Sequence, residues 1–99
     1  MNQMQQMLMR AQKMQRELEK QQAALAEKEF AASKAGMVDV VVLGNKTIKS
    51  IDIDKDALDP ENKEMLEESI MMALNEAMEA AQKEADEIQE KVTGQTQLF

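Results

Sequence analysis

The sequence contains neither cysteine nor histidine in its 99 residues. Without cysteine there is no disulfide, no thiolate metal site and no cysteine nucleophile, and the composition is compatible with a reducing cytoplasm. Without histidine, Ser-His, Cys-His and His-metal mechanisms are excluded as well, so carboxylates are the only plausible metal ligands. We therefore predict that the protein is not an enzyme, and we expect no cofactor, no metal and no small-molecule substrate.

Aromatic residues and long apolar runs are also scarce. There are two Phe, no Trp and no Tyr, whereas Met occurs ten times. Methionine side chains are flexible and polarisable, which suits helix seams and subunit interfaces. No run of about 18 apolar residues is present, and the N-terminus lacks a basic segment followed by an apolar one. These features predict a soluble, cytoplasmic protein with no membrane partner.

The net charge of −7 is distributed unevenly along the chain. Residues 1–28 carry five basic and three acidic side chains, residues 29–53 carry three of each, and residues 54–99 carry four basic and thirteen acidic. A negative total disfavours binding to phosphates, because that attraction needs cations near the strand. The uneven distribution nevertheless leaves the first segment cationic, so a nucleic-acid partner is not excluded.

Residues 1–28 are predicted to form one long helix. Residues 2–28 contain no Gly or Pro and are rich in good helix formers. Their apolar side chains recur every three or four residues, with Gln21 interrupting, at Met4, Met7, Ala11, Met14, Leu18 and Leu25. This spacing fits a short coiled-coil seam and fits equally well a helix laid on a sheet.

Residues 29–54 are predicted to form a three-stranded antiparallel sheet. The period changes from 3.6 to 2 here, with the most β-prone run at Met37–Leu43 and a second strand at Thr47–Ile53. Turn residues flank the first of these runs and join the two as a hairpin. A short first strand is expected at Glu29–Ser33.

Residues 59–93 are predicted to form a second long helix. Asp59 can cap free N–H groups and Pro60 fits the first helical position. One apolar stripe then stays in phase until Gly94, and residues 94–99 are expected to be a frayed tail. The prediction is a single α+β domain over residues 1–99, in the order α-β-β-β-α.

The first helix is too long for the sheet beside it. Residues 2–28 would extend about 40 Å, whereas three strands span about 14 Å across. Methionines on the excess length would expose an apolar stripe, and the sheet has two free edges, so self-association is expected. The candidate dimerisation residues are Met4, Met7, Met14, Val40 and Val42.

Three segments, in order and at compatible spacing, resemble one known family over nearly the whole chain. They are Met4–Leu8 with Arg10–Gln15, Val38–Leu43 with Ser50–Asp54, and Asp59–Pro60 with Lys63–Glu67 and Ala73–Ala77. The chain is similar in these segments to the YbaB/EbfC proteins of the bacterial nucleoid. The resemblance implies a homodimer joined through its sheets, with the long helices held like the arms of tweezers and double-stranded DNA bound between or along them.

A row of cations on the first helix is the candidate DNA contact. Arg10, Lys13, Arg16 and Lys20 recur at intervals of three, three and four residues. Mixed charge on a helix is ordinarily a solvated face, and Glu17 and Glu19 can pair with these cations. The family resemblance favours phosphate contact.

Two further candidate cations lie near strand ends. Lys34 and Lys46 could extend the basic surface or could keep sheet edges from pairing wrongly, and the second role is favoured. No recognition-helix pattern and almost no stacking aromatic residues are present, so binding is expected to be largely independent of sequence.

The sequence thus predicts a nucleoid-associated, DNA-binding homodimer that modulates nucleoid structure and gene expression. The alternative is a protein-interaction module that holds a client between its methionine-rich helices, as prefoldin-like holdases do.

Overall fold

The computed structural model describes residues 2–94 and confirms the predicted α+β order. It comprises α1 (Gln3–Glu27), β1 (Glu29–Lys34), β2 (Val38–Leu43), β3 (Ile48–Ile53) and α2 (Lys63–Gly94). The strands form one antiparallel sheet in the order β1-β2-β3. Both hairpins are therefore between sequence neighbours, as short turns between strands require.

The helix ends differ slightly from the prediction. Asp59 does act as a cap, accepting a hydrogen bond from the Glu61 N–H at 2.9 Å. The residues after it, however, form a 3₁₀ turn, Pro60–Asn62, and α2 begins only at Lys63. Such turns are frequent at helix starts. At the other end α2 continues through Gly94, one residue beyond the prediction; the remainder of the predicted tail, residues 95–99, lies outside the described part of the chain.

The core lies between one face of the sheet and α2. Val38, Val40 and Val42 alternate along β2 and are almost fully buried, and they pack with Ala73 and Ala77 of α2. Small alanine side chains let the helix approach the sheet closely. Two of the candidate dimerisation residues, Val40 and Val42, thus have their side chains inside the chain's own core. A part for them in a dimer stays a prediction.

A single helix covers only part of the sheet. Glu76 of α2 pairs with Lys34 at one end of β1, at 2.5 Å, and Glu84 pairs with Lys28 just before its other end, at 2.6 Å. The helix therefore runs antiparallel to β1, across β1 and β2. Because a helix is about 10 Å wide and strands are about 4.8 Å apart, α2 covers two strands and leaves the third bare.

The first helix packs against α2 rather than across the sheet. Leu25 of α1 and Val92 of α2 are buried, and Leu18 is half-buried in the same seam. The two helices run antiparallel, because α1 ends beside Glu84 and α2 continues ten residues further along it. Every residue from 2 to 13 is exposed, and we call this free segment the arm. The arm adds to the length of the molecule, which is 71 Å long and 21 Å wide.

The turn between β1 and β2 has a backbone that its first residue does not favour. Ala35 and Gly36 have φ of 56° and 65°, and the Met37 N–H donates to the Lys34 carbonyl at 3.0 Å. This is the geometry of a type I′ turn, in which Asn-Gly is the preferred pair. We expect Ala35→Asn to raise the free energy of unfolding by about 0.5–1 kcal/mol, measured by urea denaturation.

Gly36→Ala is the companion variant for that turn. No atom lies within 4 Å of the added Cβ, so the change acts only through the backbone. It should lower the free energy of unfolding by about 1 kcal/mol. Equal stability of both variants and the parent would contradict the turn type.

Candidate nucleic-acid interface

The four cations predicted on α1 form an exposed row that points away from α2. At 3.6 residues per turn, Lys13, Arg16 and Lys20 lie on the side of α1 roughly opposite Leu18 and Leu25, which face α2. Arg10 flanks this line, one turn nearer the N-terminus. We call Arg10, Lys13, Arg16 and Lys20 the basic row. Arg10 and Lys13 lie in the arm, which is exposed on every side, whereas beside Arg16 and Lys20 the opposite side of α1 packs at Leu18. All four side chains are therefore exposed to solvent.

Within residues 2–94 no ion pair holds any member of the basic row. The two neighbouring carboxylates bind glutamines instead: Gln21 donates to Glu17 at 3.0 Å and Gln15 donates to Glu19 at 3.5 Å. Glu17 and Glu19, which could have paired with the row, are thus bound to glutamines instead. The cations are exposed and have no carboxylate partner within residues 2–94, so they are free to bind phosphate groups.

The acidic side of α2 lies on the far side of the helix pair. Glu79, Asp86 and Glu90 are exposed and lie on the outer side of α2, roughly opposite Ala81 and Val92, which are buried toward α1. Two packed helices separate these carboxylates from the basic row by about 20 Å. Charges that far apart are largely screened at physiological salt, where the Debye length is about 8 Å. For a phosphate bound at the row, attraction to the row therefore exceeds repulsion from the carboxylates of α2.

The two cations predicted near strand ends are both engaged with α2. Lys34 is half-buried and pairs with Glu76, and the Lys46 ammonium donates to the side-chain carbonyl of Gln82. Neither lies in the basic row, which is confined to α1. Their contacts fasten the two ends of the sheet to α2, and a role for them in DNA binding stays a prediction.

The methionines predicted to dimerise lie along the seam of α1. Met4 and Met7 belong to the arm and are 78% and 67% exposed, whereas Met14 is half-buried where α2 begins to cover the seam. The seam therefore changes from covered to uncovered between Met14 and Met7. An apolar stripe on the arm remains open to a partner.

A second apolar surface was not anticipated from the sequence. Ile48 and Ile51 pair with Val42 and Val40, so they lie on the helix side of the sheet, yet they are 45% and 42% exposed. Met71, which is exposed, and Met78, which is half-buried against the core, lie on the side of α2 that carries Gln82, the residue that contacts Lys46 of the β2–β3 turn. We call Ile48, Ile51, Met71 and Met78 the β3 patch. This patch could have been predicted from the sequence, because a single helix is too narrow to cover all three strands of the sheet.

Neither a metal site nor a membrane-spanning helix is present among the described residues. Across residues 2–94 no three acidic side chains gather closely enough to hold a metal ion. In the same range neither helix has a stretch sufficiently long and apolar to cross a membrane. The basic row is consequently the principal charged feature from which a function can be argued.

The fold and the basic row together define a small α+β protein with a cationic helix available to a polyanion. A solved structure of an uncharacterized protein from Helicobacter pylori has the same fold, with a TM-score of 0.72 and 24% identity, covering 89% of this chain and 92% of that one. A family model described as the YbaB/EbfC DNA-binding family matches residues 1–96. The chain belongs to that family, and the family predicted from the sequence is confirmed.

Curated relatives agree with this membership. A nucleoid-associated protein of Alkaliphilus metalliredigens is 47% identical over 89 residues, covering 89% of this chain and 78% of the relative. Another, from Metamycoplasma arthritidis, is 39% identical over 85 residues, covering 86% and 88%. A third, from Enterococcus faecalis, is 39% identical over 87 residues, covering 87% and 84%. The family is a DNA-binding family and not an enzyme family.

Proposed function

We propose that this protein binds double-stranded DNA through the basic row of α1, largely without regard to sequence. The observation that carries the proposal is the row itself, four exposed cations on one helix without an ion-pair partner among residues 2–94. Phosphate contacts supply most of the affinity of such surfaces and carry no sequence information. The name shared by the relatives supports action in the bacterial nucleoid.

We further propose that the working form is a homodimer. The β3 patch supports this, because its isoleucines lie on the core side of the sheet and are only partly covered in the single chain. The exposed Met4 and Met7 are a second place where a partner chain could contact this one. A dimer would present two basic rows and so eight cations to one duplex. By bending or bridging DNA, it would modulate nucleoid structure and gene expression.

A gel-shift titration against salt tests the DNA contact. For the parent protein, the logarithm of the binding constant should fall linearly with the logarithm of salt concentration, by about 0.9 per phosphate contact. The double variant Arg10→Ala/Lys13→Ala removes two cations from each bound chain. Its slope should therefore be smaller by about 1.8 per chain, with weaker binding at every low-salt point.

The matched control removes the same charge elsewhere. Lys63→Ala/Lys83→Ala changes the net charge equally, but on α2, and should leave the slope unchanged. If both double variants lost equal slope, only net charge would matter and the basic row would have no special role. No binding by the parent at about 50 mM salt would remove the DNA-binding proposal altogether.

A protein-binding role is the second candidate, favoured by the exposed methionines of the arm. It predicts that the protein suppresses aggregation of an unfolded client, and that neither added DNA nor Arg10→Ala/Lys13→Ala changes this suppression. If added DNA abolished the suppression of client aggregation, DNA and the client would compete for the same face of the helix.

A further inference from the structure

One methionine lies at the N-terminal end of the basic side of α1, where it makes no contact with α2. Met9 is 52% exposed and lies roughly opposite Leu18, the seam residue that faces α2. Its neighbours are members of the basic row and two glutamines. A shallow hollow on this side is lined by Gln6, Met9, Arg10, Gln12, Lys13 and Arg16. An apolar side chain among exposed cations indicates a contact with something other than phosphate.

Along this side of α1 the side chains change from uncharged to cationic. Gln6, Met9, Lys13, Arg16 and Lys20 follow one another at intervals of three and four residues, so they form one line along the helix. The line is uncharged near the N-terminus and cationic further on. If its cations contact the two phosphate backbones, the uncharged pair at its start lies over the groove between them.

The arm is also the one stretch of α1 that stands free of other elements in the described chain. A lone α-helix is about 10–12 Å in diameter, close to the width of the DNA major groove, about 12 Å. Nearer the sheet, where Leu18 and Leu25 pack in the seam, α2 lies against α1, and the pair is too wide to enter. Only the arm has dimensions that let it reach base edges.

We propose that the arm enters the major groove of the DNA bound by the basic row, with Met9 against thymine methyl groups and Gln6 at neighbouring base edges. This rests on the proposed DNA binding and adds a base contact to it. The thymine methyl is the apolar group that base pairs present in the major groove, and glutamine amides pair with adenine there. The resulting preference is small, so binding remains largely independent of sequence.

Uracil-substituted DNA tests the Met9 contact. Two alternating A·T duplexes of about 20 base pairs are compared, one with thymine and one with uracil at every thymine position, which removes only the methyl groups. The parent should bind the thymine duplex about fourfold more tightly, the effect of burying one methyl group. Met9→Ala should abolish this difference while keeping the parent's salt slope, because no cation is lost.

Met72→Ala is the matched control, since Met72 is 57% exposed but lies on α2. It should keep the full preference for thymine. Equal binding of the two duplexes by the parent, or a preference that persists in Met9→Ala, would overturn the groove contact. Failure of the parent to bind either duplex at low salt would instead refute the DNA-binding proposal beneath it, so the two failures are distinguishable.

Discussion

Replacing one isoleucine of the β3 patch, Ile51→Asp, is expected to convert the proposed dimer to a monomer. Ile51 is 42% exposed in the single chain, so a carboxylate there remains hydrated in the monomer. In a dimer closed over the patch the same carboxylate would be buried without a partner, which costs several kcal/mol. The dimer dissociation constant should rise at least about 100-fold. Sedimentation equilibrium should then give the 11.2 kDa mass of one chain.

Ser50→Asp is the control for that experiment. Ser50 precedes Ile51 on β3 but pairs with Val41, on the opposite face of the sheet. It introduces the same charge into the same strand, and it should leave the mass at twice that of one chain. Dimeric Ile51→Asp with an unchanged circular dichroism spectrum would exclude the patch as the interface. A monomeric parent at micromolar concentration would contradict the dimer itself.

Dimer loss should also weaken DNA binding. Two rows on one particle bind one duplex with an effective local concentration that separate chains lack. The salt slope of monomeric Ile51→Asp should therefore fall toward the value for a single row. This separates the contribution of assembly from that of individual cations.

The sequence predicted the elements well because the hydrophobic period changes cleanly along the chain. The strands were placed to within about one residue of β1, β2 and β3, since each is bounded by turn residues. The start of α2 was placed too early because a cap at Asp59 and a proline at 60 identify a helical start without saying whether its first turn is α or 3₁₀.

Which strand would lie under α2 could not be predicted from the pattern. β2 and β3 both carry apolar residues on the core face, at Val40 and Val42 and at Ile48 and Ile51. Local sequence does not distinguish a covered strand from a bare one, because coverage is decided by where α2 lies across the sheet. Val40 and Val42 were consequently proposed for an interface, whereas in the structure the exposed apolar side chains belong to β3.

The position of the basic row could be predicted from the sequence, but its ion pairing and its exposure could not. Helical spacing places Lys13, Arg16 and Lys20 on one side of any helix over these residues. Whether Glu17 and Glu19 would pair with these cations depends on side-chain conformations, for which glutamines compete. Exposure of the row depends further on α2 covering the opposite side, a tertiary contact that composition does not reveal.

Gly44 lies against the end of α1, and Gly44→Ala is expected to be the most destabilising glycine-to-alanine change in the described chain. A Cβ at this position would lie 1.8 Å from the carbonyl oxygen of Leu25 and 2.7 Å from its carbonyl carbon. Both are backbone atoms of the last turn of α1. They cannot rotate away as a side chain could, so the helix end must shift.

That shift would break contacts that hold α1 to the body. The Gly44 N–H donates to the Lys28 carbonyl at 2.9 Å, and the Asn45 N–H donates to the Ala26 carbonyl at 3.4 Å. Leu25, 6% exposed, would lose part of its burial. We expect the free energy of unfolding to fall by about 3 kcal/mol, the upper range for overpacking. For a chain of this size the melting temperature should drop by roughly 12–24 °C.

Urea denaturation at one fixed protein concentration measures this loss, because the proposed dimer would make stability depend on concentration. Gly94→Ala is the control: nothing lies within 4 Å of its added Cβ, and alanine is the better helix former. It should not lower stability by more than about 0.5 kcal/mol. If Gly44→Ala were as stable as the parent, the close approach of α1 to the β2–β3 turn would be wrong, and with it the direction in which α1 carries the basic row away from the sheet.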